Sequence, residues 1–100
     1  NGPEAMTEDP RYTQYFQLLH QEKFFEAHEV LEALWKETQG VQREFYQGLI
    51  QIAAALVHLQ KQNRPGAEAL FKKALVHFEE ALAKNRAERV SFTHARAKKI

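Results

Sequence analysis

The feature that most constrains this chain is a helical period of apolar residues that runs almost unbroken from Tyr12 to Leu82. Apolar residues three and four positions apart lie on one stripe of an α-helix, whereas a half-buried strand needs strict alternation. The chain has only four glycines and three prolines, so few positions can interrupt regular structure. The sequence therefore predicts an all-α fold.

Turn and capping residues divide this period into four main helices. Asp9-Pro10 is typical of a helix start, because the Asp side chain accepts from free amide groups and proline has no N–H to satisfy. The polar segment 20–23, Gly40 and segment 63–66 are typical of the later boundaries. The expected helices are about residues 10–19, 24–38, 42–62 and 67–83.

A faint internal repeat relates the two halves of the chain. Residues 25–31 align with residues 65–71, and each unit reads helix, short turn, helix. This arrangement resembles a pair of tetratricopeptide-like helical hairpins, without the full pattern of that repeat. We predict a compact array of four helices in residues 9–83, with the third helix at its centre because that helix is apolar on most of its circumference.

The two ends of the chain differ from this helical domain. Residues 1–8 are expected to be a disordered N-terminus or a remnant of cloning. Residues 84–100 contain six Lys/Arg and one Asp/Glu, and they are predicted to form a short C-terminal helix or a disordered basic tail. Nucleic acid could contact only this tail, but its single aromatic residue, Phe92, offers no stacking surface. We expect a solvated terminus.

Several classes of protein are excluded or disfavoured by what the sequence lacks. The absence of cysteine excludes disulfides, thiolate metal sites and cysteine nucleophiles. The longest apolar run, residues 52–59, is far shorter than the ~20 residues that a membrane span needs. The first residues have neither the basic nor the apolar segment of a signal peptide. We therefore expect a cytoplasmic protein with no membrane contact.

One polar cluster is not needed by an ordinary helical bundle. His28, Glu32 and Trp35 are spaced i, i+4 and i+7, so they share one face of the second helix. That face overlaps the apolar stripe of Leu31 and Leu34. The polar pair is therefore expected at the edge of the apolar stripe.

The third helix carries a matching polar stripe. Gln47 and Gln51 lie four residues apart on a helix that is otherwise apolar nearly all round. Gly48 lies between them, at a position in a helix where glycine costs about 1 kcal/mol relative to alanine. A glycine there usually lets another group approach closely.

These two stripes are predicted to meet. If the second and third helices form a tight antiparallel hairpin, Glu32 lies opposite Gly48 and His28 lies near Gln51. We expect the polar side chains to converge within hydrogen-bond or one-water reach, with the Trp35 ring against the third helix near Gly48.

The cluster lies in segments that resemble a known family. The segments are residues 24–35, 45–51 and 63–67. They resemble small microbial proteins known as the domain of unknown function 309 family, whose motif is His, three residues, Glu, two residues, Trp. Here the motif reads His28, Glu32 and Trp35. The resemblance covers about residues 12–83, implies an all-helical fold and implies no established activity.

His28 and Glu32 support three interpretations. They could form a hydrogen-bonded pair that fixes helix packing, since buried polar groups are costly unless paired. They could hold a metal ion, although the second His of a zinc-protease motif is missing. They could also bind a ligand or act in catalysis, because a His oriented by a Glu is a competent general base. Trp35 then belongs to the core or to a pocket wall.

The sequence leaves two hypotheses for function. The first is a non-catalytic module that binds a protein partner, or a second copy of itself, through a helical groove. The alternative is a small enzyme, or a metal- or ligand-binding protein, that uses the His28, Glu32 and Trp35 cluster with Gln47 and Gln51. No cofactor is predicted beyond a metal ion at His28 and Glu32. The other helical histidines, His58 and His77, are expected at the surface or its boundary.

Overall fold

A computed structural model describes the backbone of residues 9–98 and the side chains of residues 9–88. It contains four helices and, within the described range, no strand, which confirms the all-α prediction. The predicted disordered segment 1–8 lies outside the described residues. In the part that is described, no helix has both the length and the apolar character needed to cross a membrane. The helices are α1 (Pro10–His20), α2 (Phe24–Lys36), α3 (Val41–Gln60) and α4 (Arg64–Lys98).

Two helices begin at a residue whose side chain accepts a hydrogen bond from a free amide in the first turn. The Asp9 carboxylate accepts a hydrogen bond from the Arg11 amide at 2.9 Å, and Pro10 is the first helical residue, which confirms the predicted start of α1. The Asn63 side chain accepts from the Gly66 amide at 3.2 Å. Asn63 therefore caps α4 instead of only interrupting the chain, and α4 begins earlier than predicted.

The turns that join α1 to α2 and α3 to α4 have the same geometry. Glu22 and Gln62 are both left-handed, with φ of 61° and 60°. In each turn the backbone amides of the left-handed residue and of the next residue donate to two carbonyls of the preceding helix, which is the Schellman arrangement. The amides of Glu22 and Gln62 donate at 2.9 and 3.0 Å, respectively. Equivalent alanines, Ala27 and Ala67, are fully buried in the helices that follow.

Each helix packs mainly on its neighbour in the chain, so the four form a serial array in which α1 contacts α2, α2 contacts α3 and α3 contacts α4. The Tyr15 hydroxyl also donates to the Leu49 carbonyl at 2.5 Å, which ties α1 directly to α3. A core fills the space between α1, α2 and α3. Its buried members are Tyr15, Ala27, Leu31, Leu34, Tyr46, Ile50 and Ala53.

The interface between α3 and α4 is built from small residues. A Cβ added to Gly48 would lie 2.6 Å from the Phe78 ring, so only glycine permits this approach without a shift. Alanines spaced seven apart on α4 are buried against α3: Ala67, Ala74 and Ala81. The space at Gly48, which the predicted α2–α3 hairpin placed opposite Glu32, is therefore occupied by Phe78 of α4. Gly48 lies on the face of α3 that meets α4, whereas Ile50 and Ala53 belong to the core shared with α1 and α2.

Two helix ends also differ from the predictions. α2 ends at Lys36, and Gly40, with φ of 79°, precedes α3 as its N-cap. α4 continues to Lys98, so residues 84–98 extend the last helix instead of forming a separate short helix or a disordered tail. The continuation has a simple cause, because no glycine or proline follows Gly66. At 1.5 Å per residue, α4 is about 52 Å long and spans most of the 58 Å length of the molecule.

The left-handed turns yield a stability prediction. We expect Gln62→Gly to stabilise the fold by about 0.5–1 kcal/mol, because glycine relieves a Cβ contact worth ~1–2 kcal/mol and loses part of that gain in the unfolded chain. Urea unfolding followed by circular dichroism measures the change. Gln14→Gly, at an exposed position inside α1, is the control and should destabilise by about 0.5–1 kcal/mol. A loss of stability in Gln62→Gly would contradict the turn geometry.

Candidate functional site

The predicted site residues lie on the helices that the sequence assigned to them. His28, Glu32 and Trp35 are on α2, and Gln47 and Gln51 are on α3. All five are half-buried, as expected for polar groups at the edge of an apolar stripe.

His28 was expected within hydrogen-bond or one-water reach of Glu32 or Gln51, and among the described residues it forms no direct hydrogen bond with either. Nδ1 of His28 and Oε1 of Gln51 are both buried, and neither has a hydrogen-bond partner among residues 9–88. The His28 ring instead lies parallel to the ring of Phe25, with centroids 6.3 Å apart. Buried polar atoms of this kind need a partner, since leaving one unpaired costs about 1–3 kcal/mol.

Trp35 is held by a residue that the sequence did not single out. The Arg43 guanidinium lies 3.9 Å from the centre of the Trp35 ring, a cation–π arrangement. The same guanidinium donates to the Trp35 and Thr38 carbonyls at 3.1 and 3.2 Å. Arg43 therefore bonds one backbone carbonyl at the end of α2 and one in the turn that follows, and it fixes the ring at the mouth of the α2–α3 turn.

A charged cluster joins α3 to α4 beside this ring. His77 Nδ1 is hydrogen-bonded to the Glu44 carboxylate, and Lys84 Nζ donates to its other oxygen at 2.9 Å. Glu80 lies one turn from His77, at 4.0 Å from the same ring nitrogen. The sequence predicted His77 at the surface or its boundary, and it singled out neither Glu44 nor Lys84 as a site residue.

The environment of Glu44 favours its ionised form. The hydrogen bond from His77, followed by that from Lys84, lowers the pKa of Glu44 to about 2, although burial acts in the opposite direction. A carboxylate with two cationic or potentially cationic donors stays ionised over nearly the whole accessible pH range.

The charged cluster and part of the predicted site line one cleft of about 370 Å³. Trp35 and Gln47 are the predicted residues that reach it. The additional lining residues are Gly40, Arg43, Glu44, His77 and Lys84. A sequence signal for the extra members did exist: Glu44, Gln47 and Gln51 are spaced i, i+3 and i+7 and so share one face of α3.

Among the described residues, one set of side chains at and beside the cleft could hold a metal ion. One ligand atom from each of Glu44, His77 and Glu80 lies within 4.8 Å of the others. Imidazole and carboxylate donors suit zinc, nickel and manganese. The Lys84 ammonium already pairs with the Glu44 carboxylate, so the charge of Glu44 is partly offset without an ion.

A second, mostly apolar groove of about 590 Å³ lies between the start of α3 and the middle of α4. Its walls include the Phe45 and Phe78 rings, whose centroids are 5.8 Å apart. Leu82 stands at the edge of the groove, and 59% of its surface is exposed.

Comparison with known proteins identifies the family. The sequence profile described as "Domain of unknown function (DUF309)" matches residues 12–70, so the chain belongs to this family and the resemblance drawn from the motif is confirmed. The uncharacterized protein YpuF of Bacillus subtilis (strain 168) is 42% identical over 53 residues, which are 52% of this chain and 30% of YpuF. The chain thus spans less than a third of that relative. No solved structure matches.

The Glu44 cluster predicts a specific dependence of stability on pH. The folded pKa is about 2, below the ~4.3 of an unfolded glutamate, so the carboxylate stabilises the fold above about pH 5 and this contribution is lost as the pH falls towards 2. Glu44→Gln should therefore lower the Tm at pH 7, and the difference from wild type should shrink between about pH 5 and 3.

Thermal unfolding at a series of pH values measures this difference. Glu29→Gln, at an exposed position on α2, is the matched control and should follow the wild type at every pH. A Tm difference for Glu44→Gln that stays constant down to about pH 3 would show that the ionised Glu44 does not stabilise the fold.

Proposed function

We propose that this member of the DUF309 family is a non-catalytic helical interaction module. Its binding surface is one apolar stripe of α4, made of Phe71, Leu75, Phe78 and Leu82 and called the α4 face below. The observation that carries the proposal is the exposure of Leu75 and Leu82, which leave 61% and 59% of their surface outside the fold.

The residues of the α4 face have the sequence spacing found where two helices pack along each other. Its four residues are separated by four, three and four positions, the alternation that lets a second helix pack along a stripe. Phe71 and Phe78 are half-buried and form the side of the stripe next to α3. A contiguous apolar stripe that remains exposed commonly marks an interaction surface, whereas single exposed apolar residues do not.

The apolar groove adds depth to this surface. It opens beside Leu82, and the paired rings of Phe45 and Phe78 stand in its wall. An amphipathic helix on the α4 face could insert one large apolar side chain there, which is how helices are held in grooves of other proteins.

The position of α4 in the array supports the same interpretation. Each helix packs mainly on its chain neighbours, and α4 contacts α3 on one side only. The two similar turns at Glu22 and Gln62 favour a stack of two hairpins, and such stacks leave the outer face of the last helix to a cap or a partner.

A displayed library of about 20-residue helical peptides tests the proposal. Wild-type protein should enrich peptides with apolar residues at i, i+3 or i+4 and i+7. The double variant Leu75→Ser/Leu82→Ser should bind the selected peptides at least tenfold more weakly, a change of about 1.4 kcal/mol, with little change in Tm because both side chains are exposed.

Phe25→Ser provides the control for that experiment. Phe25 is 58% exposed but lies on α2, away from the α4 face, so this variant should bind the selected peptides as the wild type does. Equal binding by wild type and the Leu75/Leu82 double variant would contradict the proposal.

Binding of a divalent cation is a second candidate function, favoured by the ligand atoms of Glu44, His77 and Glu80 that lie within 4.8 Å of one another. The pair predicted from the sequence, His28 and Glu32, is the competing location. The unpaired Nδ1 of His28 is compatible with a ligand there.

Thermal unfolding with zinc, manganese or nickel separates these locations. If the α3–α4 cluster binds an ion, the wild-type Tm should rise by several degrees at saturation, the rise should vanish in His77→Ala, and it should persist in His28→Ala. The reverse result would assign the ion to the predicted pair. No shift with any of the three metals would remove this candidate.

A further inference from the structure

We infer that the partner of the α4 face is a second copy of this chain, whose α4 packs against the first in antiparallel orientation. The inference rests on the proposed interaction function and names its partner. It follows from a symmetry in the residues of the α4 face and in the charged residues beside it.

The apolar residues of the α4 face are symmetric about the point between Val76 and His77. Phe71 and Leu82 are equally far from this point, and so are Leu75 and Phe78. A twofold axis through this point and perpendicular to the helix would bring Phe71 of one copy to Leu82 of the other, and Leu75 to Phe78. Every pair would be apolar, as an interface formed by the same patch on both copies requires.

The same twofold axis also places charged residues of opposite sign opposite each other, beside the apolar stripe. Four exposed charged residues follow the outer edge of the α4 face, on the side away from α3: Glu68, Lys72, Glu79 and Arg86. Their signs alternate along the helix. In the antiparallel pair, Glu68 of one copy lies opposite Arg86 of the other, and Lys72 lies opposite Glu79. The sequence midpoints of these two pairs lie within about one residue of the twofold axis that relates the apolar residues. Each negative charge therefore meets a positive charge of the other copy.

This symmetry distinguishes antiparallel from parallel pairing. A twofold axis perpendicular to the helices brings the same edge of both copies together, so the four charges face each other. A parallel pair would bring this edge against the opposite edge of the partner helix, where Ala74 and Ala81 are already buried against α3. Only the antiparallel pair uses the charge pattern.

The exposed Phe25 on α2 lacks these features. Phe25 is as exposed as Leu82, but the residue seven positions later on α2 is Glu32. No comparable apolar stripe continues from Phe25 on that face, so the self-complementary pattern belongs to α4.

Cross-linking tests the orientation directly, since the chain has no cysteine of its own. Glu68→Cys and Arg86→Cys are prepared separately, mixed under reducing conditions and then oxidised. The mixture should form a disulfide-linked dimer of one copy of each variant, while neither variant alone should link efficiently. Efficient linking of Glu68→Cys with itself would indicate parallel pairing and overturn the inference.

Charge reversal tests the same contact without a covalent bond. Glu68→Arg should raise the dimer dissociation constant about tenfold, because the contact with Arg86 occurs twice in the dimer and becomes repulsive. Glu68→Arg/Arg86→Glu should restore wild-type association. Glu29→Arg on α2 is the control and should have no effect. Sedimentation equilibrium at low salt measures all four proteins.

The outcomes separate this inference from the function on which it rests. A wild-type protein that stays monomeric up to about millimolar concentration, a dissociation constant worth only ~4 kcal/mol, would overturn the inference. If that monomer still bound helical peptides through Leu75 and Leu82, the interaction function would stand with a different partner. If it bound none, both would fall. A dimer that survives Leu75→Ser/Leu82→Ser would place the contact elsewhere and also overturn the inference.

Discussion

The close approach of α3 and α4 at Gly48 is the contact on which the arrangement of both surfaces depends. Glycine inside a helix costs about 1 kcal/mol relative to alanine. In return the Phe78 ring lies where a Cβ of residue 48 would be, and the apolar contact of a half-buried Phe is worth on the order of 1–2 kcal/mol. The buried alanines of α4 continue this close packing along the helix. The cost of Gly48 is therefore offset locally, and the register of α4 on α3 becomes fixed.

That register places the polar and apolar features on different sides of α4. Once Phe78 lies over Gly48, the neighbouring His77 reaches Glu44, and Lys84, two turns further along α4, reaches the other oxygen of the same carboxylate. Leu75 and Leu82 are then left on the opposite flank of the buried alanines, without a partner helix. A helix that buries only a narrow stripe of small residues can present a polar edge and an apolar edge at once.

The sequence alone predicted those parts of the structure that depend on local rules. The helical period, the Asp9 cap and the half-burial of His28, Glu32 and Trp35 follow from spacing and from the chemistry of helix ends. The continuation of α4 was missed because residues 84–98 have too few apolar residues to show a period, although they contain no helix-breaking residue. The segment around Asn63 was interpreted only as a break between helices. The same residues can both end one helix and cap the next, and the sequence does not distinguish these roles.

The site could be predicted only in part because α3 packs on two chain neighbours, α2 and α4, through different faces. The position of Gly48 within α3 was evident, but the sequence does not say whether α2 or α4 uses the space it leaves. With the wrong neighbour assigned, the expected cluster extended towards α2 and omitted Glu44 and His77. Its members were His28, Glu32, Trp35, Gln47 and Gln51. The observed cleft takes Trp35 and Gln47 from that cluster and adds residues from α4.

The separation of the two flanks of α4 also bears on how the surfaces could act together. His77 and Lys84 lie on the flank of α4 that faces the cleft, whereas Leu75 and Leu82 lie about half a turn away around the helix axis. A partner on the α4 face would therefore leave the cleft open, and a ligand in the cleft would not cover Leu75 or Leu82. Any communication between them would have to pass through the α3–α4 contact itself. Since the Phe78 ring packs closely on Gly48, this contact favours a rigid scaffold carrying two independent surfaces over a switch between them.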